Sequence, residues 1–253
     1  MVNKSTDFVG SLAKGLRVIE AFQAEQPRLS ITDVAQAAEL DRATARRCLL
    51  TLVELGYAEY DGKFFALTPR VLRLGVAALA SMPLPQIVQP WLDQLSDQVG
   101  QSCSVSVLEG AEILYVARAA QRRVMSIGLM PGSRLPAFCT SMGRVLLAAL
   151  PRDEARSLIE SSDLAPRTAH SLTDISDLMQ ELDRVRRQGY ALVDQEVEIG
   201  LRALSVPLLN QRGETVAALN IGLAAIQSNA AEVVSGYLSD MLRVQAGLKR
   251  VLQ

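Results

Sequence analysis

The fold turns on one stretch: Ser30-Ile31-Thr32-Asp33-Val34-Ala35-Gln36-Ala37-Ala38-Glu39-Leu40-Asp41-Arg42-Ala43-Thr44-Ala45-Arg46-Arg47-Cys48-Leu49-Leu50-Thr51-Leu52-Val53-Glu54-Leu55-Gly56. Ser30 reads as an N-cap with an acidic residue, Asp33, at the third helical position, a close relative of the capping box. Ile31, Val34, Ala35 and Ala38 then supply a narrow apolar face for a short helix. Glu39-Leu40 makes a tight turn where a glycine is common. Asp41 caps a second helix running to about Leu55, and Gly56 is placed to end it. On that helix Ala45, Cys48, Leu49, Leu52 and Leu55 form the apolar stripe. Arg42, Ala43, Thr44, Arg46 and Arg47 fall mainly on the opposite side of its first turns, with no acid between Asp41 and Glu54.

Upstream, Ser11 precedes a helical pattern in which Leu12, Leu16, Ile19 and Phe22 make one stripe, closed by Pro27. Downstream comes Tyr57-Ala58-Glu59-Tyr60-Asp61-Gly62-Lys63-Phe64-Phe65-Ala66-Leu67, where Asp-Gly between aromatic-rich runs signals a hairpin. Three short helices followed at once by a hairpin are the order of a winged helix-turn-helix. Its third helix suits DNA. Arginines on the first turns can pair bidentately with guanine, while small Ala43 and Thr44 allow close approach and contact with a thymine methyl. Ser30, Thr32 and Thr44, with the helix N-terminus, can hold phosphates, and Lys63 at the wing tip is placed for a phosphate or minor-groove contact.

The bulk numbers neither help nor oppose this reading. Lys and Arg total 26 against 27 Asp and Glu, and an electrostatic footprint for DNA can be local. A protein-binding winged helix remains the alternative; it explains the neutral overall charge but not the arginine-rich, acid-free start of the third helix. Cys48, Cys103 and Cys139 are an odd, widely spaced set with no metal-site spacing, which fits a reducing cytoplasm. No signal-peptide core follows Met1, and the longest uncharged stretch, Leu74 to Leu92, is broken by Pro83, Pro85 and Pro90. No membrane association is expected, and the protein reads as soluble.

Thr68-Pro69 announces another helix, running to Met82-Pro83-Leu84-Pro85. We therefore expect a DNA-binding domain over residues 1–68, a linker helix over 69–82 and an effector-binding domain over 83–253. In the last, Leu84 to Val99 repeats at helical spacing. Strands are expected at Cys103 to Leu108, Ile113 to Ala117, Val124 to Leu129, Ala203 to Leu209 and Val216 to Leu223. Helices are expected after Thr140 or Ser141, at about 152–160 and 174–188, and from Ala230 to Val251. The fold class is α+β, with an antiparallel sheet flanked by helices.

Several segments resemble IclR-type regulators over about residues 8 to 250. They are Ser11-Leu12-Ala13-Lys14-Gly15-Leu16 through Arg46-Arg47; Arg134-Leu135-Pro136-Ala137-Phe138-Cys139-Thr140-Ser141-Met142-Gly143-Arg144-Val145-Leu146-Leu147-Ala148; and Gly189-Tyr190-Ala191-Leu192-Val193-Asp194-Gln195-Glu196. Phe8 to Ala13, Leu49 to Tyr57 and Ala217 to Gly222 resemble the branch (PcaR, PcaU and PobR) that controls aromatic catabolism through the β-ketoadipate pathway. The resemblance implies a GAF-like effector domain and homodimers or tetramers on inverted-repeat double-stranded DNA. It further implies a small aromatic or β-keto acid as effector, with RNA polymerase as a further candidate partner.

A carboxylate needs donors in a partly dry concavity. Thr140 and Ser141 sit at a helix start, Arg134 on the same loop can clamp bidentately, and Ala137, Phe138 and Cys139 are placed to line a wall. By resemblance the second wall comes from Asp194, Glu196, Leu201, Arg202, Ala203, Ser205, Asn220 and Gly222, with an acid there accepting a ligand hydroxyl. The plainer alternatives are helix capping by Thr140 and Ser141 and structural ion pairs for Arg134 and Arg202. Catalysis is not expected and no cofactor is called for: His170 is the only histidine, and no nucleophile elbow, zinc-binding, phosphate-loop or dinucleotide motif is present.

Overall fold

The computed structural model describes residues 8–23, 26–74, 83–121, 129–226 and 229–252. The chain divides into two compact units, Met1–Ser81 and Met82–Gln253. The first holds helices α1 (Gly10–Glu20), α2 (Ile31–Ala37) and α3 (Arg42–Glu54), with strands β1 (Arg28–Leu29), β2 (Ala58–Tyr60) and β3 (Phe65–Leu67). The strands pair antiparallel in the order β1-β3-β2.

Capping fixes the two middle helices. At α2 the capping box is reciprocal: Ser30 Oγ accepts the Asp33 N–H at 3.3 Å, and Asp33 Oδ2 accepts the Ser30 N–H at 2.8 Å. At α3, Asp41 Oδ1 accepts the Thr44 N–H at 2.9 Å. Such caps contribute about 1 kcal/mol each. Both helices end in the same six-to-one motif. Leu40 N–H reaches Ala35 O at 2.9 Å and Tyr57 N–H reaches Leu52 O at 2.8 Å. The residue that turns the chain is Gly56 (φ 75°) after α3 but Glu39 (φ 51°) after α2. Glu39 thus adopts the left-handed conformation that glycine usually fills, at a cost of about 1–2 kcal/mol. The hairpin closes as Asp61 Oδ1 accepts the Lys63 and Phe64 N–H groups at 2.8 and 2.7 Å.

Four sequence expectations change in this unit. Helix α1 starts at Gly10 with no side-chain cap, so Ser11 lies inside it. Its buried residue is Val18, while Leu12 and Leu16 are 62% and 48% exposed. The reason is that α1 carries two apolar faces. Val18 meets the core of α2 and α3, and Leu12, Leu16 and Ile19 border an apolar depression with Cys48, Leu52, Leu55 and Leu74. Leu55, expected in the stripe of α3, is accordingly exposed. After Thr68, whose hydroxyl accepts the Arg70 N–H, the chain begins with a 3₁₀ turn over Pro69–Val71 rather than an α-helix. Residues 72–74 are helical; the rest of the expected linker helix, 75–82, lies outside the described residues.

The second unit is an antiparallel six-stranded sheet in the order β6-β5-β4-β9-β8-β7. Its strands are β4 (Ser102–Glu109), β5 (Glu112–Ala119), β6 (Arg134–Pro136), β7 (Ala191–Asp194), β8 (Leu201–Leu209) and β9 (Thr215–Ala224). Apart from Leu129, which is in no strand, the strand expected at Val124 to Leu129 lies outside the described residues. Helices α4 (Pro83–Val99) and α8 (Ala230–Leu248) cover one face, burying Cys103, Val105, Leu204, Val206, Leu219 and Ile221. Helices α5 (Ser141–Ala149), α6 (Arg152–Glu160) and α7 (Ile175–Gln188) cover the other. Two strictly apolar layers would leave no room for a ligand. The strands avoid this because residues on the α5 side are small where they pass under the start of that helix.

Candidate functional site

Strand β4 shows how the space arises. Cys103 and Val105 point to the α4 and α8 side, while Ser102, Ser104 and Ser106 alternate with them. The register extends this small, polar row across the sheet: Ser104 faces Arg118 on β5 and Asn220 on β9, and Asn220 faces Ser205 on β8. In the next row Ser102 faces Gly222, which faces Ala203. The result is a cavity between the sheet and α5. Ser102, Arg118, Thr140, Ser141 and Asn220 form its polar part, and Tyr115, Leu129, Leu135, Met142, Val193, Val197 and Leu201 most of the rest. Its volume of about 40 Å³ exceeds the roughly 10–15 Å³ that a single water needs. A benzene ring needs more than this, so a ring bound here would require wall residues such as Met142 and Leu129 to move.

Six of the residues singled out in the sequence line this cavity: Thr140, Ser141, Leu201, Ala203, Asn220 and Gly222. Ser205 lies directly behind it, fully buried, with Oγ 2.7 Å from Ser141 Oγ. The others lie elsewhere. Arg134 sits exposed on β6, paired with Glu109 at 2.9 Å and Glu112 at 2.8 Å. Ala137, Phe138 and Cys139 are sealed in the core beneath α5, and burial pushes the Cys139 thiol up to about 11. Asp194 pairs with Arg202 at 2.7 Å, and Glu196 with Arg144 at 2.7 Å. Neither acid lines the cavity, whereas Asn220 does.

The polar start of α5 is already partly engaged. Thr140 Oγ1 accepts the Gly143 N–H at 3.1 Å and lies 3.2 Å from Pro136 O, to which it donates. Ser141 Oγ shares hydrogen bonds with Ser205 and Asn220 Nδ2. Residues overlooked in the sequence are Ser102, Tyr115, Arg118, Leu129, Leu135, Met142, Val193 and Val197. The Ser-x-Ser-x-Ser alternation of β4 was the available signal for Ser102, since a strand buried on both faces has no other reason for repeated small polar residues.

In the first unit α3 presents Arg42, Ala43, Arg46 and Arg47 to solvent. Thr44 is buried and accepts a hydrogen bond from Arg47 Nη2 at 3.3 Å, which removes it from the exposed surface. Thr32 is exposed at the start of α2, whereas Ser30 is half-buried and spent in the capping box. At the wing Lys63 Nζ lies 5.0 Å from the Phe64 ring, and Arg28, overlooked in the sequence, lies 5.7 Å from it while pairing with Asp61. The wing therefore carries two cations.

Compared with known families, residues 11–62 match the IclR helix-turn-helix domain and residues 76–247 the C-terminal domain of bacterial transcriptional regulator IclR. This chain belongs to the IclR family. It is 43% identical to the Pca regulon regulatory protein of Pseudomonas putida over 96% of this chain and 84% of that one. It is 40% identical to the p-hydroxybenzoate hydroxylase transcriptional activator of Acinetobacter baylyi, over 86% of this chain and 82% of that one. Among solved structures it is similar to a double mutant of the PobR inducer-binding domain from Acinetobacter, in complex with 3-hydroxybenzoic acid. The TM-score is 0.63 at 32% identity, covering 66% of this chain and 98% of that one. The helix-turn-helix match falls within the N-terminal unit of this IclR-family chain, and the C-terminal match covers most of the second unit. Among the described residues no helix is long and apolar enough to cross a membrane.

Two of the motifs shared with IclR-type regulators meet physically. Arg144, from the motif that starts α5, is 3% exposed and bonds Phe138 O through Nε at 3.0 Å and Glu196 through Nη2 at 2.7 Å. Glu196, from the motif around β7, also accepts the Leu172 N–H at 2.8 Å. The pair ties the roof of the cavity to the β7–β8 connection.

Proposed function

We propose that this IclR-family protein controls genes for the breakdown of aromatic acids, with a hydroxylated aromatic carboxylate in the cavity under α5 as its signal. The observation that carries this reading is the cavity itself. It pairs apolar walls with polar groups along one sheet row, which suits an apolar ring bearing polar substituents. Relatives that act on the Pca regulon and on p-hydroxybenzoate hydroxylase support the aromatic class. On this reading the protein is a regulator rather than an enzyme. It works as a homodimer, or as a tetramer built from two, with each dimer reading an inverted repeat through paired α3 helices, and RNA polymerase is its further partner at the promoter. The ligand acts by preferring one arrangement of the two DNA-binding units, since equal affinity for both would shift nothing.

A thermal-shift series with protocatechuate, 4-hydroxybenzoate, cis,cis-muconate and β-ketoadipate tests the ligand class, with benzoate and pyruvate as controls. Native-state binding raises the midpoint by mass action, about 2.7 kcal/mol of added stability at a hundredfold excess over Kd. A rise with protocatechuate or 4-hydroxybenzoate and not with pyruvate is expected; a rise with neither of the two would sink the aromatic assignment.

On the DNA side, Arg46→Ala is expected to weaken operator binding by about 1–3 kcal/mol through lost base contacts, leaving ligand binding unchanged. Arg47 is tethered to Thr44, so its replacement is expected to cost less. Filter binding across a salt series checks both, and unchanged operator affinity in the two variants would remove α3 as the reading helix.

A further inference from the structure

A regular strand would place Tyr115 and Arg118, three residues apart, on opposite faces of the sheet. Here they share one. Ser104 pairs with Arg118 and Val105 with Ala117, but Ser106 pairs with Tyr115, so Ala117 and Val116 together oppose Val105. This β-bulge turns both Val116 and Ala117 toward α4 and α8 and brings Tyr115 and Arg118 into the cavity. Bulges are the usual device by which a strand re-aims a side chain at a site.

Both side chains have bonding capacity in hand. Arg144, Arg202 and Arg134 each meet a carboxylate. Arg118 meets none among the described residues; its Nη1 donates to the neutral Ser104 hydroxyl at 3.0 Å. The Tyr115 phenol has no hydrogen-bond partner among the described residues, and burial raises its pKa so that it keeps its proton as a donor. The hydroxyls at the start of α5, by contrast, are committed to Pro136, Gly143 and Ser205. A half-buried guanidinium held open in an apolar cavity is costly unless an anion completes it.

We propose that Arg118, with Tyr115 beside it, receives the carboxylate of the effector, and that Asn220, two strands away, receives its hydroxyl. The proposal rests on the cavity being the effector site. Adjacent strands lie about 4.8 Å apart, so the Cα positions of Arg118 and Asn220 are separated by about 10 Å. With two side chains reaching inward, that span suits a ring substituted at opposite ends. The charge on Arg118 then sets selectivity for acids over neutral phenols, and the helix start serves to seat the ring rather than to bind the anion.

Titration calorimetry with 4-hydroxybenzoate and its uncharged analogue 4-hydroxybenzamide tests this on the full-length protein. Wild type is expected to prefer the acid. Arg118→Gln is expected to lose about ten- to a hundredfold in affinity for the acid, the range for a hydrogen bond to a charged group, while its affinity for the amide stays within a few-fold. Arg118→Lys keeps the charge and is expected to recover part of the loss, and Tyr115→Phe to weaken the acid by a smaller factor. Retained amide binding shows that the cavity of the Gln variant is intact. An unchanged acid-to-amide ratio in Arg118→Gln overturns the assignment of Arg118 while leaving the cavity as effector site. Failure of wild type to bind either probe overturns the aromatic reading and the proposal with it.

Discussion

Arg144→Met is expected to lower the stability of the C-terminal unit by about 3–5 kcal/mol. The change removes one partner of an ion pair in which Arg144 is 3% and Glu196 10% exposed. A surface pair of the same geometry contributes at most about 1 kcal/mol, because water screens it and can solvate the survivor. At this site the survivor is only 10% exposed, so water solvates it poorly. Glu196 would be left with the Leu172 N–H at 2.8 Å as its remaining bond, and Phe138 O would lose the donor it has in Nε. Urea unfolding followed by tryptophan fluorescence reads the effect cleanly, since Trp91 is the one tryptophan and packs in the C-terminal unit. The double variant Arg144→Met, Glu196→Leu is expected to regain most of the loss, because replacing both partners of a buried pair by apolar groups is often neutral. A single variant within about 1 kcal/mol of wild type would mean that Glu196 finds solvent, and the pair would not be the tie between α5 and the β7–β8 connection.

The same pair shows what the sequence disclosed and what it concealed. Elements whose ends carry their own chemistry were legible. Asp41 capping α3, the Asp61-Gly62 turn, and Gly189 at φ 78° after α7 are each decided within a few residues. The β8–β9 hairpin was legible for the same reason, and its strands run one or two residues beyond the expected bounds. Strand β6, three residues long, carried no such signal and was not foreseen.

Side-chain destinations were harder wherever they depend on a partner distant in sequence. Arg134 looked like a carboxylate clamp because it precedes Thr140 by six residues, yet it lies on an edge strand where Glu112 of the neighbouring β5 and Glu109 at the end of β4 both pair with it. Asp194 and Glu196 looked like acceptors for a ligand, yet each is paired with an arginine from the chain itself. Arg118 was concealed by the bulge. Period-two reading places it opposite Tyr115, and nothing local marks the extra residue at Val116. The cavity floor was the intermediate case, since Ala203, Asn220 and Gly222 were named by resemblance while the serines of β4 needed the register to connect them.

Gly143 carries the second large expected effect, and two opposing terms meet there. Alanine is better than glycine in a helix interior by about 1 kcal/mol, so Gly143→Ala in α5 would stabilise if the site were open. It is not: a Cβ on Gly143 would lie 2.1 Å from Ala137 O and 2.4 Å from Ala137 Cα. Both are backbone atoms, which cannot rotate aside, so the start of α5 must lift or the Ala137 loop must shift. Overpacking of this kind costs about 1–3 kcal/mol, and more when backbone is involved; the clash outweighs propensity, and a net loss of about 2 kcal/mol or more is expected. Gly236→Ala in α8 is the matched control. Its Cβ would meet nothing within 4 Å, and the propensity gain of up to about 1 kcal/mol should appear. Opposite signs for the two substitutions in the same urea assay are the expected result; a neutral or stabilising Gly143→Ala would remove the close approach. The consequence extends to the cavity. Thr140, Ser141 and Met142 ride on the turn that must move, so Gly143→Ala is also expected to abolish the ligand-induced thermal shift, even below the temperature at which the variant unfolds.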